Sequence, residues 1–264
     1  MSDNTDKMSF WEHLDELRTT IVRSLLIVVV FAVVAFCLKD EVFAIILAPK
    51  DADFVTYRLL SSISSLLGQA PDDGFFVRLI NTGLAEQFLT HMKVSFCVGL
   101  LCASPYIIYR LFGFVSPALY TNERQYATHV VVGGYVMFLV GVLVSYFLIF
   151  PLTFRFLGTY TVSGDVENMI ALQSYISTLL TMSLSMGIVF EIPILSWLFA
   201  KLGIISSAIM SKFRRHAVVV ILIVAAIITP TSDVFTLSLV ALPMWLLYEV
   251  SILITKTTRS NKNR

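Results

Sequence analysis

Three acidic side chains in this sequence are candidates for binding or proton chemistry. Glu191 lies within a long apolar run, where a charged group is costly unless it is protonated or paired. It therefore forms either a structural hydrogen bond to a neighbouring helix or a protonatable, partner-binding site. Glu16, in the segment His13–Arg18, and Glu123, beside Arg124, are each readable alone as ordinary solvated acids.

Glu16 and Glu123 become more informative as a pair. The distribution of basic residues along the chain places both at the same membrane face, at the ends of helices that can be neighbours. A guanidinium pairs with a carboxylate through two parallel hydrogen bonds, a geometry that a lysine ammonium cannot reproduce. The pair therefore predicts a site for a peptide that carries two arginines.

The composition predicts a membrane protein. Of the 264 residues, 57% are hydrophobic and only 14% are charged, which is too apolar for a soluble domain. Apolar stretches near the length of a membrane-crossing helix recur along the chain. The net charge of +1 argues against a nucleic-acid partner. We expect an all-α integral membrane protein with one domain over residues 1–264.

Six apolar segments predict six membrane spans. The fourth would extend roughly 50 Å as one helix, against about 30 Å of hydrocarbon, so it must tilt, kink at Pro193 or project into water. The fifth offers only about a dozen apolar residues, or roughly 18 Å. Long and short spans side by side predict a dished bundle that thins the bilayer, with spans five and six short. The expected spans are 21–38, 93–109, 128–150, 170–202, 217–228 and 234–254.

The distribution of basic residues predicts the orientation. Six spans put both termini on one side. The segments on that side hold thirteen of the Lys and Arg residues, and the opposite side holds six. The positive-inside rule therefore places both termini in the cytoplasm.

Several polar residues and prolines have expected local roles. Ser9-Phe-Trp-Glu12 is a capping box that predicts a helix from about residue 10. Asp233 is expected to cap the start of span six, and Pro151 to end span three. Glu249 also lies in an apolar run, so it too is either a structural hydrogen-bonding group or a partner-binding site, although it lies closer to the cytoplasmic end of its span. Ser61–Leu67 is expected to form a short interfacial helix within the polar stretch between spans one and two.

No arrangement of residues predicts catalysis. The sequence has no nucleophile-elbow glycine pattern, no phosphate-binding loop and no His/Glu metal pair on one helix face. The expected protein is therefore not an enzyme, and it uses no metal and no cofactor.

Short motifs along residues 9–255 resemble the TatC family, the polytopic receptor subunit of the twin-arginine protein translocase. The most extensive lies between Ser104 and Arg124 and includes Phe112-Gly-Phe-Val-Ser-Pro-Ala-Leu-Tyr-Thr-Asn-Glu-Arg124. The others occur in the family's order: His13-Leu-x-Glu16-Leu-Arg18, Ala48-Pro49, Glu86-x-Phe88 with Lys93, Phe150-Pro151, Phe190-Glu191-Ile-Pro193, Thr229-Pro230, Asp233-Val-Phe235, Pro243, and Tyr248-Glu249.

The resemblance implies a receptor for twin-arginine signal peptides in a bacterial cytoplasmic (inner) membrane. The implied transport exports folded cargo at the expense of the proton motive force. The implied partners are single-span proteins of the TatA/TatB type and further copies of the chain. The signal-peptide residues would be Glu16, Arg18, Phe114, Pro117, Leu119, Tyr120, Glu123 and Arg124. Intramembrane polar or partner contacts would come from Glu191, Pro193, Asp233 and Glu249, and structural roles from Pro49, Pro151, Pro230 and Pro243.

Two positions depart from the family pattern. Leu237 stands where some members have a glutamine that faces a partner helix, which puts that polar contact in doubt. The stretch Asp51–Phe76 is also longer than the family's usual first periplasmic loop.

A second function class stays open from the residues alone. Six spans with a carboxylate in a broken helix also suit a proton-coupled secondary transporter of a small solute. Inverted repeats would favour that interpretation, but the first half of the chain has no counterpart of span four in length or in its glutamate.

Overall fold

Nearly all of the described chain is helical. The structure, a computed structural model, describes residues 10–66, 77–115, 127–163, 168–229 and 233–260. The helices described within those ranges are α1 Phe10–Cys37, α2 Lys39–Leu47, α3 Val55–Leu66, α4 Glu86–Val115, α5 Ala127–Val144, α6 Phe150–Thr159, α7 Leu172–Val189, α8 Ile192–Lys201, α9 Ser207–Lys212, α10 Arg214–Ile228 and α11 Val234–Ser260.

Five helical segments in the described ranges are long and apolar enough to cross a membrane. They are Leu14–Cys37, Glu86–Gly113, Val130–Thr159, Leu172–Lys201 and Val234–Thr257. The fifth expected span corresponds to α10, which has 15 residues and a length of about 22 Å. The expectation that span six is also short is wrong, because its apolar helical segment Val234–Thr257 has 24 residues, or about 36 Å. The chain is therefore a helical, multi-pass membrane protein, and the count of six spans stays a prediction.

The chain divides into two compact units. The first holds α1, the C-terminal part of α4 and the beginning of α5; the second holds the rest. In the first unit, α1 and α4 approach closely at Gly99, where an added Cβ would lie 2.7 Å from the carbonyl oxygen of Val28. That space suits only glycine, so this crossing fixes the position of α4 along α1. The expectation of one domain over the whole chain stays a prediction.

The core of the second unit is built on aromatic side chains. Tyr175 of α7 packs edge-on against Phe150 and Phe154 of α6, with ring centroids 5.0 and 4.9 Å apart. α5 and α7 come close at Gly141, where a Cβ would lie 2.5 Å from the carbonyl oxygen of Met186. Small residues at such crossings let the two helix backbones approach closely. The resulting van der Waals packing stabilises helix association in a membrane, where water provides no hydrophobic driving force between helices.

The expected fourth span is broken beside Pro193, which is one of the three outcomes that the sequence left open. α7 ends at Val189, the chain turns at Phe190 and Glu191, and α8 begins at Ile192. Pro193 has no N–H to give to the carbonyl of Val189, so it is tolerated in the first turn of α8 but not within a continuous helix.

The expectation that Pro151 ends the third span is wrong. α5 passes through a π-helical turn at Ser145–Ile149 into α6, which runs on to Thr159 with Pro151 in its first turn. A proline in a helix leaves the carbonyl four residues earlier without its usual donor. That carbonyl belongs to Phe147, and it accepts a hydrogen bond from the hydroxyl of Thr56 in α3. A side chain from a neighbouring helix therefore lets the helix continue.

A small sheet departs from the expected all-α fold. Strands β1 (Arg78–Ile80) and β2 (Met169–Ala171) pair in parallel, with Leu79 opposite Ile170. They lie in the segments expected to be polar connections, directly before α4 and α7. The described part of the polar stretch after span one contains α2, a 3₁₀ turn at Ala48–Lys50, and α3. Helix α3 includes all of the predicted interfacial helix Ser61–Leu67 except Leu67, which lies outside the described residues.

Candidate functional site

Glu16 lies on the half of α1 that faces α4. It is half-buried, and Thr20, one turn further along the same face, is 6% exposed. The guanidinium of Arg110 in α4 donates to the Thr20 hydroxyl, with a distance of 3.1 Å between Nη2 and Oγ1. The two helices run antiparallel, since Thr20 meets Arg110 while Val28 meets Gly99. Continuing that register by one turn brings the Glu16 turn level with Phe114.

The other expected signal-peptide residues are placed only in part. Arg18 is exposed on α1, and the backbone of Phe114 belongs to the last turn of α4. The remaining expected residues of this site lie outside the described ranges: Pro117, Leu119, Tyr120, Glu123 and Arg124. Whether Glu16 and Glu123 form one site therefore stays a prediction.

Glu191 occupies the turn between α7 and α8. Both of its carboxylate oxygens are buried, and neither has a hydrogen-bond partner among the described residues. The turn before it is packed tightly, because an added Cβ on Gly187 would lie 2.7 Å from the ring of Phe138. A buried polar group without a partner is uncommon in proteins and calls for an explanation such as binding or catalysis.

Asp233 caps α11, as expected. Its Oδ2 accepts a hydrogen bond of 2.6 Å from the backbone N–H of Thr236, and α11 begins at Val234. The carboxylate thereby satisfies one of the N–H groups that a helix N-terminus leaves without a partner. Pro230 lies outside the described ranges, and Pro243 lies inside α11, which continues through it.

Glu249 has a partner within the chain. Its Oε2 lies 2.7 Å from Nη2 of Arg214, and their side chains are 27% and 54% exposed. The neighbouring Tyr248 hydroxyl donates to the carbonyl oxygen of Met210 at 2.9 Å. These contacts tie α11 to the start of α10 and to α9, and a role for Glu249 in contacting another protein stays a prediction.

Tyrosine hydroxyls hold Pro49 and Pro151 in place, an arrangement that the sequence analysis missed. The Tyr57 hydroxyl lies 2.9 Å from the carbonyl oxygen of Pro49 and 3.1 Å from that of Pro151, and all three residues are buried. Tyr146 and Tyr175 donate to carbonyl oxygens in the last turn of α2, at 2.6 and 3.1 Å. Carbonyls at a helix C-terminus have few intrahelical donors, and the tyrosines supply further ones, although the Ile45 carbonyl also accepts from the backbone N–H of Ala48. Nothing in the spacing of the tyrosines indicates this.

Glu86 joins the starts of α4 and α7. Its Oε2 accepts hydrogen bonds from the backbone N–H groups of Thr82 and Gly83, and its Oε1 accepts one from Gln173. The first two bonds resemble the capping-box contact in which a glutamate side chain accepts from the backbone N–H at the start of its helix. A Thr-Gly pair three to four residues before a glutamate could therefore have indicated this helix start in the sequence. The Glu86 carboxylate thus has a structural role.

The comparisons with known proteins bear on all of these features together. A family model described as "Sec-independent protein translocase protein (TatC)" matches residues 12–243, which is most of the chain. The chain belongs to the TatC family. Glu16, Glu123, Glu191 and Asp233 lie inside the matched region, and Glu249 lies beyond it.

Named relatives and solved structures agree with this assignment. A TatC protein of Blattabacterium sp. subsp. Periplaneta americana is 32% identical over 260 residues, 97% of each chain. One from Aquifex aeolicus is 32% identical over 257 residues, 97% of this chain and 98% of its own. A crystal structure titled "Crystal Structure of Twin Arginine Translocase Receptor- TatC" superposes with a TM-score of 0.76 at 31% identity, covering 94% of this chain and all of that one.

The TatC assignment confirms the resemblance read from the short motifs. TatC is a transport family, and the solute-transporter interpretation is not favoured. Within the described residues, no three His, Cys, Asp or Glu side chains come together as metal ligands would.

Proposed function

We propose that this chain is the signal-peptide receptor and core of a twin-arginine translocase that exports folded proteins across the bacterial cytoplasmic membrane. The observation that carries the proposal is the match over 94% of the chain to a structure titled as the twin-arginine translocase receptor. The proton motive force drives the export, and the chain itself needs no cofactor and performs no catalysis.

The arginine-recognition surface is proposed at the N-terminal part of α1. Glu16 is half-buried beside the end of α4, so it presents a carboxylate in a partly desolvated place. Glu123 would supply the second carboxylate from the segment that follows α4. One guanidinium paired with each acid would recognise two adjacent arginines, and desolvation makes each charge-assisted pair stronger than it is in water.

Glu191 is proposed to contact single-span partners of the TatA/TatB type. Two buried oxygens without partners in the described chain can bond to a polar side chain on an arriving helix. α10 and α11 offer the adjoining surface: Val219, Ile223 and Ile227 of α10 are all more than half exposed. Further copies of the chain join the same complex.

Both termini are proposed to lie in the cytoplasm, with six spans in a dished bundle. α10 is the decisive helix, because about 22 Å is shorter than the usual hydrocarbon layer. Its ends offer exposed positions for labelling: Phe213 is 50% exposed and Ile227 is 76% exposed. Cysteines at these two positions should react with a water-soluble maleimide from opposite sides. Labelling of both from one side would contradict the six-span topology.

Native co-purification tests the proposed receptor against the solute transporter. The chain, isolated from its own membrane in mild detergent, should bring down small amphipathic single-span proteins that mass spectrometry identifies. Glu191→Ala should lose these proteins, and Ser65→Ala, an exposed position on α3, should keep them. A chain that purifies alone and takes up a solute with protons would contradict the proposal.

A further inference from the structure

Arg110 places a positive charge one helical turn from Glu16, with a single hydroxyl as its hydrogen-bond acceptor among the described residues. Its Nη2 donates to the hydroxyl of Thr20, while its Nε is buried and lacks an acceptor among the described residues. An ionised group withdrawn from water is costly unless an anion or several acceptors compensate it. One neutral hydroxyl compensates little of that cost, so an anion close to Arg110 would stabilise it.

Glu16 is the carboxylate on the right face of α1. It lies four residues before Thr20, and side chains at that spacing are neighbours, with Cβ atoms about 5–6 Å apart. Asp15, next to it, is exposed and points away from the face that carries Thr20. An arginine that already reaches Thr20 can therefore reach Glu16 by rotating its outer torsion angles.

We propose that Arg110 competes, from within the chain, with the signal peptide for Glu16. This inference rests on the proposed function, in which Glu16 takes a guanidinium of the peptide. The chain alternates between a state in which Arg110 bonds to Thr20 and a state in which it pairs with Glu16. Only the first state leaves Glu16 open to a peptide.

The competition lowers the affinity for every peptide by the same factor. An apparent dissociation constant rises as the fraction of the binding-competent state falls, whatever the ligand. Arg110 therefore sets the strength of binding and leaves the preference for arginine over lysine unchanged.

Peptide binding to the full chain in detergent tests the proposal. A fluorescent Arg-Arg signal peptide and its Lys-Lys counterpart are titrated against the wild type, Arg110→Gln and a control, Arg23→Gln. Arg23 is exposed on α1 and carries the same charge. Arg110→Gln should bind both peptides about tenfold more tightly, which corresponds to a wild type whose open state is populated at about 10%. Arg23→Gln should change binding less than about twofold, because its charge is screened by water.

A double-mutant cycle shows whether Arg110 acts through Glu16. In a Glu16→Gln background, Arg110→Gln should give no gain, because there is no carboxylate left to compete for. If the gain in peptide affinity persists in full in the Glu16→Gln background, the proposal is wrong. It is also wrong if Arg110→Gln has the melting temperature of the wild type and binds the peptides no more tightly. If Arg110→Gln does not fold, Arg110→Lys takes its place in the experiment. Arg110→Lys should bind the peptides a few-fold more tightly than the wild type, because lysine cannot form the bidentate pair with Glu16. Unaltered binding by this variant would refute the proposal.

The same titration separates this inference from the proposed function. A wild type that prefers Arg-Arg to Lys-Lys but responds to no change at Arg110 would refute the competition alone. A wild type that binds neither peptide would refute both.

Discussion

Replacing Glu191 with methionine should stabilise the isolated chain and at the same time abolish its assembly with single-span partners. Both carboxylate oxygens are buried without a hydrogen-bond partner among the described residues. A buried polar group left unsatisfied costs about 1–3 kcal/mol, and an apolar side chain of similar length removes that cost. The melting temperature should therefore rise by about 2–12 °C, taking about 2–4 °C for each kcal/mol.

Thermal unfolding of the purified protein in detergent measures the first effect, and crosslinking to partners in native membranes measures the second. Glu191→Gln should keep much of the assembly, because an amide still donates and accepts a hydrogen bond. Signal-peptide binding should stay intact in both variants. Glu249→Met is the matched control: it should destabilise, since it leaves Arg214 without its partner.

Three outcomes would change this account of Glu191. A lower melting temperature for Glu191→Met would mean that the carboxyl group is satisfied within the chain and serves the fold. Lost peptide binding in a folded variant would assign Glu191 to the receptor site or the core. Export blocked in Glu191→Gln despite normal assembly would favour proton exchange at this residue.

Three further predictions concern the fold. Tyr57→Phe should lower the free energy of unfolding by about 1–3 kcal/mol, because the two buried carbonyls lose the one O–H donor that they share. Burial raises the pKa of Tyr57 above its usual 10.0. The contribution of Tyr57 to the free energy of unfolding is therefore complete below pH 10 and is lost as the pH rises further. In alkaline thermal melts the wild type should lose stability more steeply than the variant. Gly99→Ala should cost about 1–3 kcal/mol by overpacking backbone, whereas Gly113→Ala, with open space around it, should be neutral or slightly stabilising in the same melts. The coupling between Arg214 and Glu249, measured by a double-mutant cycle of denaturation, should be only about 0.2–1 kcal/mol, because both side chains are partly exposed; a coupling of several kcal/mol would contradict this estimate.

Apolar length and proline chemistry made much of the helical fold predictable. The break near Pro193 follows from a missing N–H, and the cap at Asp233 follows from the needs of a helix N-terminus. The same proline rule failed at Pro151, where the outcome depends on a hydroxyl from Thr56, almost a hundred residues earlier in the chain. Local rules name the carbonyl that loses its donor, but they cannot name a distant replacement.

The candidate sites were predictable from residue type, and their surroundings were not. A carboxylate in an apolar run marks Glu191 without any structure. The sequence did not distinguish Arg110 from the other basic residues near a membrane face, because its proximity to Glu16 depends on the register of α4 against α1. That register is set by Gly99, whose close approach to Val28 leaves no sign in the sequence. The short β-strands were missed because three residues of strand carry too little pattern.

The most direct test of the central claim is the binding of Arg-Arg and Lys-Lys signal peptides to the wild type, Glu16→Ala and Glu123→Ala. The wild type should bind the Arg-Arg peptide and bind the Lys-Lys peptide poorly, because lysine cannot form the bidentate pair. Each alanine variant should weaken Arg-Arg binding by about 1–3 kcal/mol, or roughly five- to 150-fold. Equal binding of the two peptides by the wild type, with no loss in either variant, would contradict the account of this chain as a twin-arginine receptor.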